Sequence, residues 1–354
     1  MPWGSVRGHD RLVADLRRTL QLGRLPHAFL FVGPEGVGKH LFALTLAQAM
    51  LCERSEPDAL APCGHCPSCL QVAARSHPDL LLAARPPEKH ELPIQVIRDL
   101  CGDLALRPMR GGHRIAIVDD ADHLSEEASN AFLKTLEEPP SGSVLILLGS
   151  SPEAQLDTVV SRCRVLRFDP LPESDVVRIL MDQGVAQEIE QAQRLASHSE
   201  GSVKRAIALA DPEMDSFRRG LLSDLANPRP FDPPAMAARI EAFVKDAGKE
   251  SVLQRDRASV LANELARFFR NVLWETAGLA APTPDAADRQ TAALLAERLE
   301  PEDVFLLAER CMEADYHIRR KLYMPLILTS LVVDLARLTH PSRAVASSAG
   351  RGQA

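Results

Sequence analysis

The chain has 354 residues, of which 45% are hydrophobic and 25% are charged, and its formal net charge is −7 at pH 7. This length predicts two or three domains of ordinary globular composition. No apolar run approaches the roughly 20 residues of a membrane span, and the polar N-terminus lacks a signal-peptide core. A protein that grips DNA alone normally carries a basic stripe, so the acidic balance indicates that other subunits would supply much of any DNA contact.

Apolar runs and helical patterns alternate in the first half of the sequence. Runs typical of buried strands are predicted at 28–32, 114–120, 144–150 and 165–168. Apolar residues at helical spacing are found at 41–51, 94–106 and 125–138. Ser125 is the predicted N-cap of the last helix, which Pro139 and Pro140 end. This order is typical of an α/β domain whose parallel sheet has helices on both faces.

The pattern becomes helical in the second half. A small helical lid is predicted at 170–212, after a core domain at 1–169. The proline-rich stretch 225–235 reads as a loop, and strong apolar faces then predict an all-α domain over 213–340. The tail 341–354 is small and polar, so it is expected to be disordered.

A glycine-rich segment follows the first predicted strand directly. Residues 33–39, GPEGVGK, match the G-x-x-x-x-G-K pattern of a phosphate-binding loop in the strand–loop–helix context that this pattern requires. The glycines Gly33, Gly36 and Gly38 let backbone N–H groups converge on an anion, and Lys39 would reach the outer phosphates. The alternative is a glycine turn that binds nothing.

The positions expected to handle magnesium depart from the usual pattern. His40 follows the lysine, where Ser or Thr normally ligates Mg²⁺, and an imidazole is a poor ligand for a cation that prefers oxygen. Asp119 and Asp120 end a strand at the place of Walker-B acids, although two acids there could simply cap the next turn. Asp120 is one methylene shorter than the usual Glu, and ~1 Å of misplacement can cost about 100-fold in rate. ATP hydrolysis by this chain alone is therefore not expected, and binding of ATP and Mg²⁺ is left open.

Four of the seven cysteines lie within eighteen residues: Cys52, Cys63, Cys66 and Cys69. Two overlapping C-x-x-C steps with a fourth thiol are typical of tetrahedral structural zinc. His65 lies between these ligands and could replace one of them, and a redox site is the alternative because C-x-x-C also occurs in oxidoreductases. The odd total and the three isolated thiols do not fit a secreted disulfide framework, so a reducing cytoplasm is expected.

An arginine follows the last long strand region, in the sequence Ser161-Arg162-Cys163. Exposed there, Arg162 could reach the nucleotide of a neighbouring subunit and stabilise transition-state charge in trans. Most surface arginines are solvated or pair locally, so this residue is informative only as part of the wider pattern.

Taken in order, several segments resemble the bacterial clamp-loader branch of the AAA+ ATPase superfamily. They are HAFLFVGPEGVGK, the inserted C…CGHCPSC module, RIAIVDDADHLS, NAFLKTLEEPP, VLILLGSS and VVSRC. The resemblance covers about residues 5–210, and the helical remainder agrees in length and position. It implies a P-loop AAA+ core with a zinc module at 52–69, a helical lid, and a C-terminal collar that makes a pentamer.

Within that branch the chain is similar to the delta-prime type of DNA polymerase III subunit. The resemblance implies that the four cysteines bind structural Zn²⁺ and that Arg162 is an arginine finger offered to ATP on an adjacent motor subunit. Ser150 falls at the first sensor position, and Lys204 falls at the second, where active motors have Arg. The implied partners are gamma/tau motor subunits and delta in a hetero-pentamer, which helps to load a sliding clamp onto primed DNA.

Two other functions remain as alternatives. An ATP-hydrolysing gamma/tau motor subunit would be expected to carry Ser or Thr after Lys39, Glu at 120 and Arg near 204, and this sequence has none of them. An autonomous zinc-containing nucleic-acid-binding protein would be expected to show a basic patch and stacking aromatics, whereas aromatic residues are only 4% here.

Overall fold

A computed structural model describes residues 2–23, 25–55, 59–86, 91–109, 112–283 and 285–340. The chain forms two compact units, one up to Ile207 and the other from Ala208. The tail predicted at 341–354 lies outside the described residues. The boundaries of the predicted core, lid and collar stay a prediction at 1–169, 170–212 and 213–340.

The first unit is built on a parallel sheet. Its strands are β1 (Ala28–Val32), β2 (Leu80–Ala83), β3 (Arg114–Val118), β4 (Ser143–Gly149) and β5 (Arg164–Arg167). All neighbours are parallel, and the strand order is β2-β3-β4-β1-β5. The predicted parallel sheet is confirmed, and four strands coincide with predicted apolar runs. The strand β2 was not predicted, although its sequence LLLA carries the same apolar signal.

Nine α-helices are described in or at the end of this unit. They are α1 (Asp10–Gln21), α2 (Lys39–Met50), α3 (Pro67–Ala73), α4 (Ile94–Leu104), α5 (Glu126–Glu137), α6 (Asp157–Val160), α7 (Glu173–Asp182), α8 (Ile189–Ser199) and α9 (Val203–Leu209). The predicted N-cap of α5 is confirmed, because Ser125 Oγ accepts a hydrogen bond from the Ala128 backbone at 3.1 Å. This bond satisfies one of the N–H groups that a helix start leaves without a partner.

Alternate residues of each central strand face opposite sides of the sheet. On one face, Phe29 and Phe31 pack with residues of α1 and α2, among them Phe42. On the other face, Leu30 and Val32 belong to a second cluster that includes residues of α4 and α5. The central strands are therefore buried on both sides, as parallel strands usually are.

The second unit is helical throughout the part that is described. Its helices are α10 (Pro212–Ala226), α11 (Pro233–Lys245), α12 (Ser251–Thr276), α13 (Ala286–Ala296), α14 (Pro301–Arg319) and α15 (Met324–Thr339). One apolar core joins these helices, with Leu265 and Phe269 of α12 fully buried in it. Across the described residues, no helix has both the length and the apolar character that crossing a lipid bilayer requires.

Candidate functional site

The four clustered cysteines point their sulfur atoms at one another. All four Sγ atoms lie within 4.8 Å of each other. The Sγ atoms of Cys52 and Cys66 are 3.9 Å apart, and those of Cys63 and Cys69 are also 3.9 Å apart. Tetrahedral geometry with metal–sulfur bonds of about 2.3 Å places neighbouring sulfurs about 3.8 Å apart. The cluster therefore has the dimensions of a closed site for one metal ion.

Backbone N–H groups within the module are directed at these sulfurs. The Cys63 N–H donates to Cys52 Sγ at 3.4 Å, and the Cys66 N–H donates to Cys63 Sγ at 3.3 Å. Hydrogen bonding from the His65 backbone lowers the pKa of the Cys63 thiol to about 6, whereas burial raises the pKa of Cys69. Donors around a sulfur favour its thiolate form, which is the form that binds metals.

The imidazole of His65 makes other contacts. Its Nδ1 lies 2.8 Å from the Cys63 carbonyl oxygen, and its Nε2 lies 2.7 Å from Nη1 of Arg54. Because a guanidinium can only donate, Nε2 accepts that bond and Nδ1 carries the proton. Both ring nitrogens are engaged, so the four cysteines provide the donor set without His65.

The predicted nucleotide-binding residues meet at one edge of the sheet. Because parallel strands point the same way, the residues that follow β1, β3 and β4 emerge together. The Gly33 N–H donates to the Ser150 carbonyl at 3.0 Å, and the Ser150 N–H donates to Asp122 Oδ2 at 2.7 Å. The loop after β1 is thus joined by hydrogen bonds to the end of β4.

The ammonium group of Lys39 is turned back on its own loop. Its Nζ donates to the Gly33 carbonyl at 2.5 Å and to the Pro34 carbonyl at 2.7 Å. Burial lowers the pKa of Lys39, while nearby carboxylates act in the opposite direction. In this arrangement the group that would reach outer phosphates is bound to backbone oxygens.

The residues expected to surround a magnesium ion contact each other. His40 Nδ1 lies 2.9 Å from Asp119 Oδ2, and this contact is the main reason that the pKa of the Asp119 carboxyl is lowered. Asp120 has a left-handed backbone, with φ of 55°, and its Oδ2 lies 3.7 Å from Nε of Arg85. The predicted magnesium residue Asp119 is thus in contact with an imidazole.

The start of α9 closes over the tip of the loop. Ser202 Oγ donates to the Glu35 carbonyl at 2.8 Å, and Lys204 Nζ contacts Glu35 Oε1 at 2.6 Å. The Val203 N–H donates to the Gly36 carbonyl at 3.0 Å. A Cβ on Gly36 would lie 2.4 Å from Ser202 Oγ, so only glycine fits under this contact. Lys204, at the predicted second sensor position, is therefore paired with Glu35 of the phosphate-binding loop.

Arg162 lies at the other edge of the sheet. It precedes β5 by two residues, and Arg164 at the start of β5 pairs in register with Phe29, four residues before Gly33. Four residues of strand span about 13 Å, which is longer than an arginine side chain. The guanidinium is partly exposed and contacts Glu137 Oε1 at 2.5 Å. Within this chain, Arg162 therefore does not reach the phosphate-binding loop.

Comparisons with known proteins agree on the family of this fold. Residues 8–172 match the family model described as DNA polymerase III, delta subunit. The DNA polymerase III subunit delta' of Pseudomonas aeruginosa is 40% identical over 148 residues, covering 41% of this chain and 44% of that protein. Residues 8–172 of the chain are therefore similar to the clamp-loader AAA+ family.

Both delta' and tau subunits of DNA polymerase III are similar to the chain. The subunit delta' of Escherichia coli is 33% identical over 219 residues, covering 61% of this chain and 63% of that protein. The subunit tau of Escherichia coli is 30% identical over 280 residues, covering 77% of this chain and 41% of that protein. The chain thus spans less than half the length of the tau and Pseudomonas delta' proteins.

A solved structure aligns with most of the chain. It is a crystal structure of a DNA polymerase III gamma subunit-related protein from Thermotoga maritima, aligned over 92% of this chain and 100% of that chain. The sequence identity is 17% and the TM-score is 0.41, which is too low to transfer any residue role.

Several residues that contact the clamp-loader family motifs were not predicted from the sequence. They are Glu35, Arg85, Asp122 and Glu137. Glu35, Asp122 and Glu137 lie inside the motifs GPEGVGK, RIAIVDDADHLS and NAFLKTLEEPP, so these motifs carried a signal for them. Arg85 belongs to no motif, because its contact with Asp120 joins segments that only the sheet brings together.

Proposed function

We propose that the chain is a delta-prime-type subunit of the DNA polymerase III clamp loader and that it is not an efficient ATPase. The observation that carries this proposal is the contact of 2.9 Å between His40 and Asp119. Magnesium-dependent phosphoryl transfer needs oxygen ligands at this place, and the imidazole of His40 occupies the carboxylate of Asp119 that would hold the metal shell. The backbone contacts of Lys39 support the same conclusion.

In this proposal, Arg162 is the residue that acts in ATP hydrolysis, on a nucleotide bound by the adjacent motor subunit. Its place at the sheet edge away from its own loop supports an action in trans. A guanidinium directed at a transferring phosphoryl group stabilises the charge that develops there. The other proposed partner within the complex is the delta subunit. The sliding clamp and primed DNA would be contacted through the complex, and the complex would act in the cytoplasm.

The proposed metal at the cysteine cluster is a structural Zn²⁺. Four thiolates with Sγ separations near 3.9 Å suit a soft tetrahedral ion. When bound, the ion would cross-link the two ends of the module, Cys52 and the turn that carries Cys63, Cys66 and Cys69. A site filled by four protein ligands leaves no position for a substrate, so the role is structural.

A gamma/tau-type motor subunit is the second candidate. The tau protein of Escherichia coli matches over 280 residues, a longer stretch than either delta' protein described above. Against this, His40, Asp120 and Lys204 all depart from the residues expected of a motor. The acidic net charge of −7 and the low aromatic content of 4% argue against an autonomous zinc-containing nucleic-acid-binding protein.

Reconstitution of the clamp loader with variant chains tests the proposal. DNA-stimulated ATP hydrolysis and clamp loading would be measured with wild type, Arg162→Ala and Lys39→Ala. An arginine finger contributes ~10³-fold or more at its own ATP site, so Arg162→Ala should lower clamp loading at least about tenfold. Lys39→Ala should have little effect.

Arg164→Ala is the matched control, because Arg164 is also exposed and lies two residues away on β5. It should load clamps like the wild type. A large loss with Lys39→Ala and a small one with Arg162→Ala would contradict the proposal and favour the motor subunit.

A further inference from the structure

Arg162 is held by two helices of its own chain. Its Nη2 contacts Oε1 of Glu137, the last residue of α5, at 2.5 Å. Its Nη1 donates to the carbonyl of Thr158 in α6 at 2.9 Å and lies 3.3 Å from Ser161 Oγ. Both terminal nitrogens of the guanidinium are therefore fixed before any partner arrives.

One part of the guanidinium remains open. Its Nε has no hydrogen-bond acceptor among the residues that the structure describes, and 34% of the side chain is exposed. A guanidinium carries five N–H groups, each of which can donate to a phosphate oxygen. With Nη1 donating to Thr158 and Nη2 in contact with Glu137, the Nε–H is the donor available to a ligand.

We propose that Glu137 is a positioning residue for Arg162, which holds the guanidinium so that its Nε–H faces a phosphate carried by another subunit. This inference rests on the proposed action of Arg162 in trans. A flexible arginine loses rotamer freedom when it binds, and an arginine already held by Glu137 loses less. Orientation also matters for rate, since ~1 Å of misplacement can cost about 100-fold.

Glu137 has a second, opposing effect on Arg162. Its negative charge partly neutralises the guanidinium and so weakens the attraction of Arg162 for phosphate. The carboxylate is 52% exposed, and water screens such a surface pair strongly. Orientation therefore dominates, and removing the carboxylate should slow hydrolysis rather than accelerate it.

The adjacent glutamate provides a matched control. Glu138 is also exposed, and its side chain makes no hydrogen bond or ion pair within the described part of the chain. Glu137→Gln and Glu138→Gln each remove one negative charge from neighbouring positions. Only Glu137→Gln removes the charged contact with Arg162, so a difference between them measures that contact.

The first test measures ATP hydrolysis by the reconstituted complex. Glu137→Gln should lower kcat about fivefold and leave KM for ATP within about twofold, because the interaction is needed in the transition state. Glu138→Gln should match the wild type. Hydrolysis by the Glu137→Gln complex that equals or exceeds wild type would overturn the proposal.

The second test uses the full chain alone and does not depend on the proposed function. Phenylglyoxal labelling of Arg162 would be followed by mass spectrometry, with Arg164 as the internal reference. Loss of the ion pair should raise the labelling rate of Arg162 about threefold in Glu137→Gln but not in Glu138→Gln. Equal rates would show that Glu137 does not hold Arg162. Normal ATP hydrolysis with Arg162→Ala would refute only the proposed function.

Discussion

The cysteine cluster and the phosphate-binding loop belong to the same unit but differ in what their functional atoms contact. In the cluster, four sulfurs converge with separations near 3.9 Å, and backbone donors support them. In the loop, the Lys39 ammonium, the His40 imidazole and the Lys204 ammonium are bound to groups of the same chain. Converging atoms can accept a ligand directly, whereas paired groups must first break their contacts.

The largest effect is expected from the cluster. Cys69→Ser removes one of the four proposed metal ligands. The apparent binding free energy of structural Zn²⁺ in zinc-finger peptides is about 10–16 kcal/mol at pH 7. The zinc content measured by metal analysis should fall from one Zn²⁺ per chain to well below one, and the melting temperature should drop by about 10 °C or more. Cys101→Ser is the control, since Cys101 lies outside the cluster. A wild-type chain that folds stably without metal would contradict the zinc assignment.

The next effect concerns the contact between α9 and the loop. Gly36→Ala should destabilise the first unit by about 2–4 kcal/mol, because its Cβ meets Ser202 Oγ at 2.4 Å and its φ is +80°. Gly38 has a φ of +99°, but an added Cβ there would have no atom within 4 Å. In Gly38→Ala, backbone strain alone should therefore lower the free energy of unfolding by about 1–2 kcal/mol. Urea unfolding of both variants checks the difference. Equal losses would mean that α9 does not pack on the loop in solution.

A smaller effect should follow from repairing the magnesium position. His40→Thr supplies a hydroxyl oxygen and frees the Asp119 carboxylate from the imidazole. We expect ATP to bind about tenfold more tightly when Mg²⁺ is present, and calorimetry with and without Mg²⁺ would measure this gain. His65→Thr, at the cysteine module, should show no gain. Binding that does not respond to Mg²⁺ would count against the position assigned to His40.

The smallest effect is a pH dependence of stability at Asp119. Contact with His40 lowers the pKa of this carboxyl in the folded state. The resulting stabilisation is present above the unfolded-state pKa of about 3.9 and is lost as the pH falls through the lower folded pKa. Asp119 is partly exposed, so the stabilisation at neutral pH should be below about 1 kcal/mol.

Asp119→Asn allows this pH dependence to be measured. The free energy of unfolding of wild type minus that of Asp119→Asn should shrink as the pH is lowered below about 4. Asp103→Asn, on the exposed surface of α4, is a control. A difference that stays constant down to pH 2 would show that His40 does not lower the pKa of Asp119.

Local patterns were sufficient to predict four of the five strands of the first unit and its helices α2, α4 and α5. The apolar runs at β1, β3, β4 and β5, and the capped helix after Ser125, follow from residues that are neighbours in the chain. The cysteine spacing was equally informative, because a short turn brings Cys63, Cys66 and Cys69 together whatever the rest of the fold does. The strand β2 was not predicted, although its four residues LLLA are as apolar as the predicted strands.

The sequence by itself determined the kinds of residue at each site: four thiols, a glycine loop, a histidine in place of Ser or Thr, and an arginine before the last strand. Only the tertiary structure decided their partners. Glu137 meets Arg162 across 25 residues, and Glu35 meets Lys204 across 169 residues. Such contacts depend on how parallel strands and the helices between them are packed, and a local sequence pattern carries no information about groups that distant.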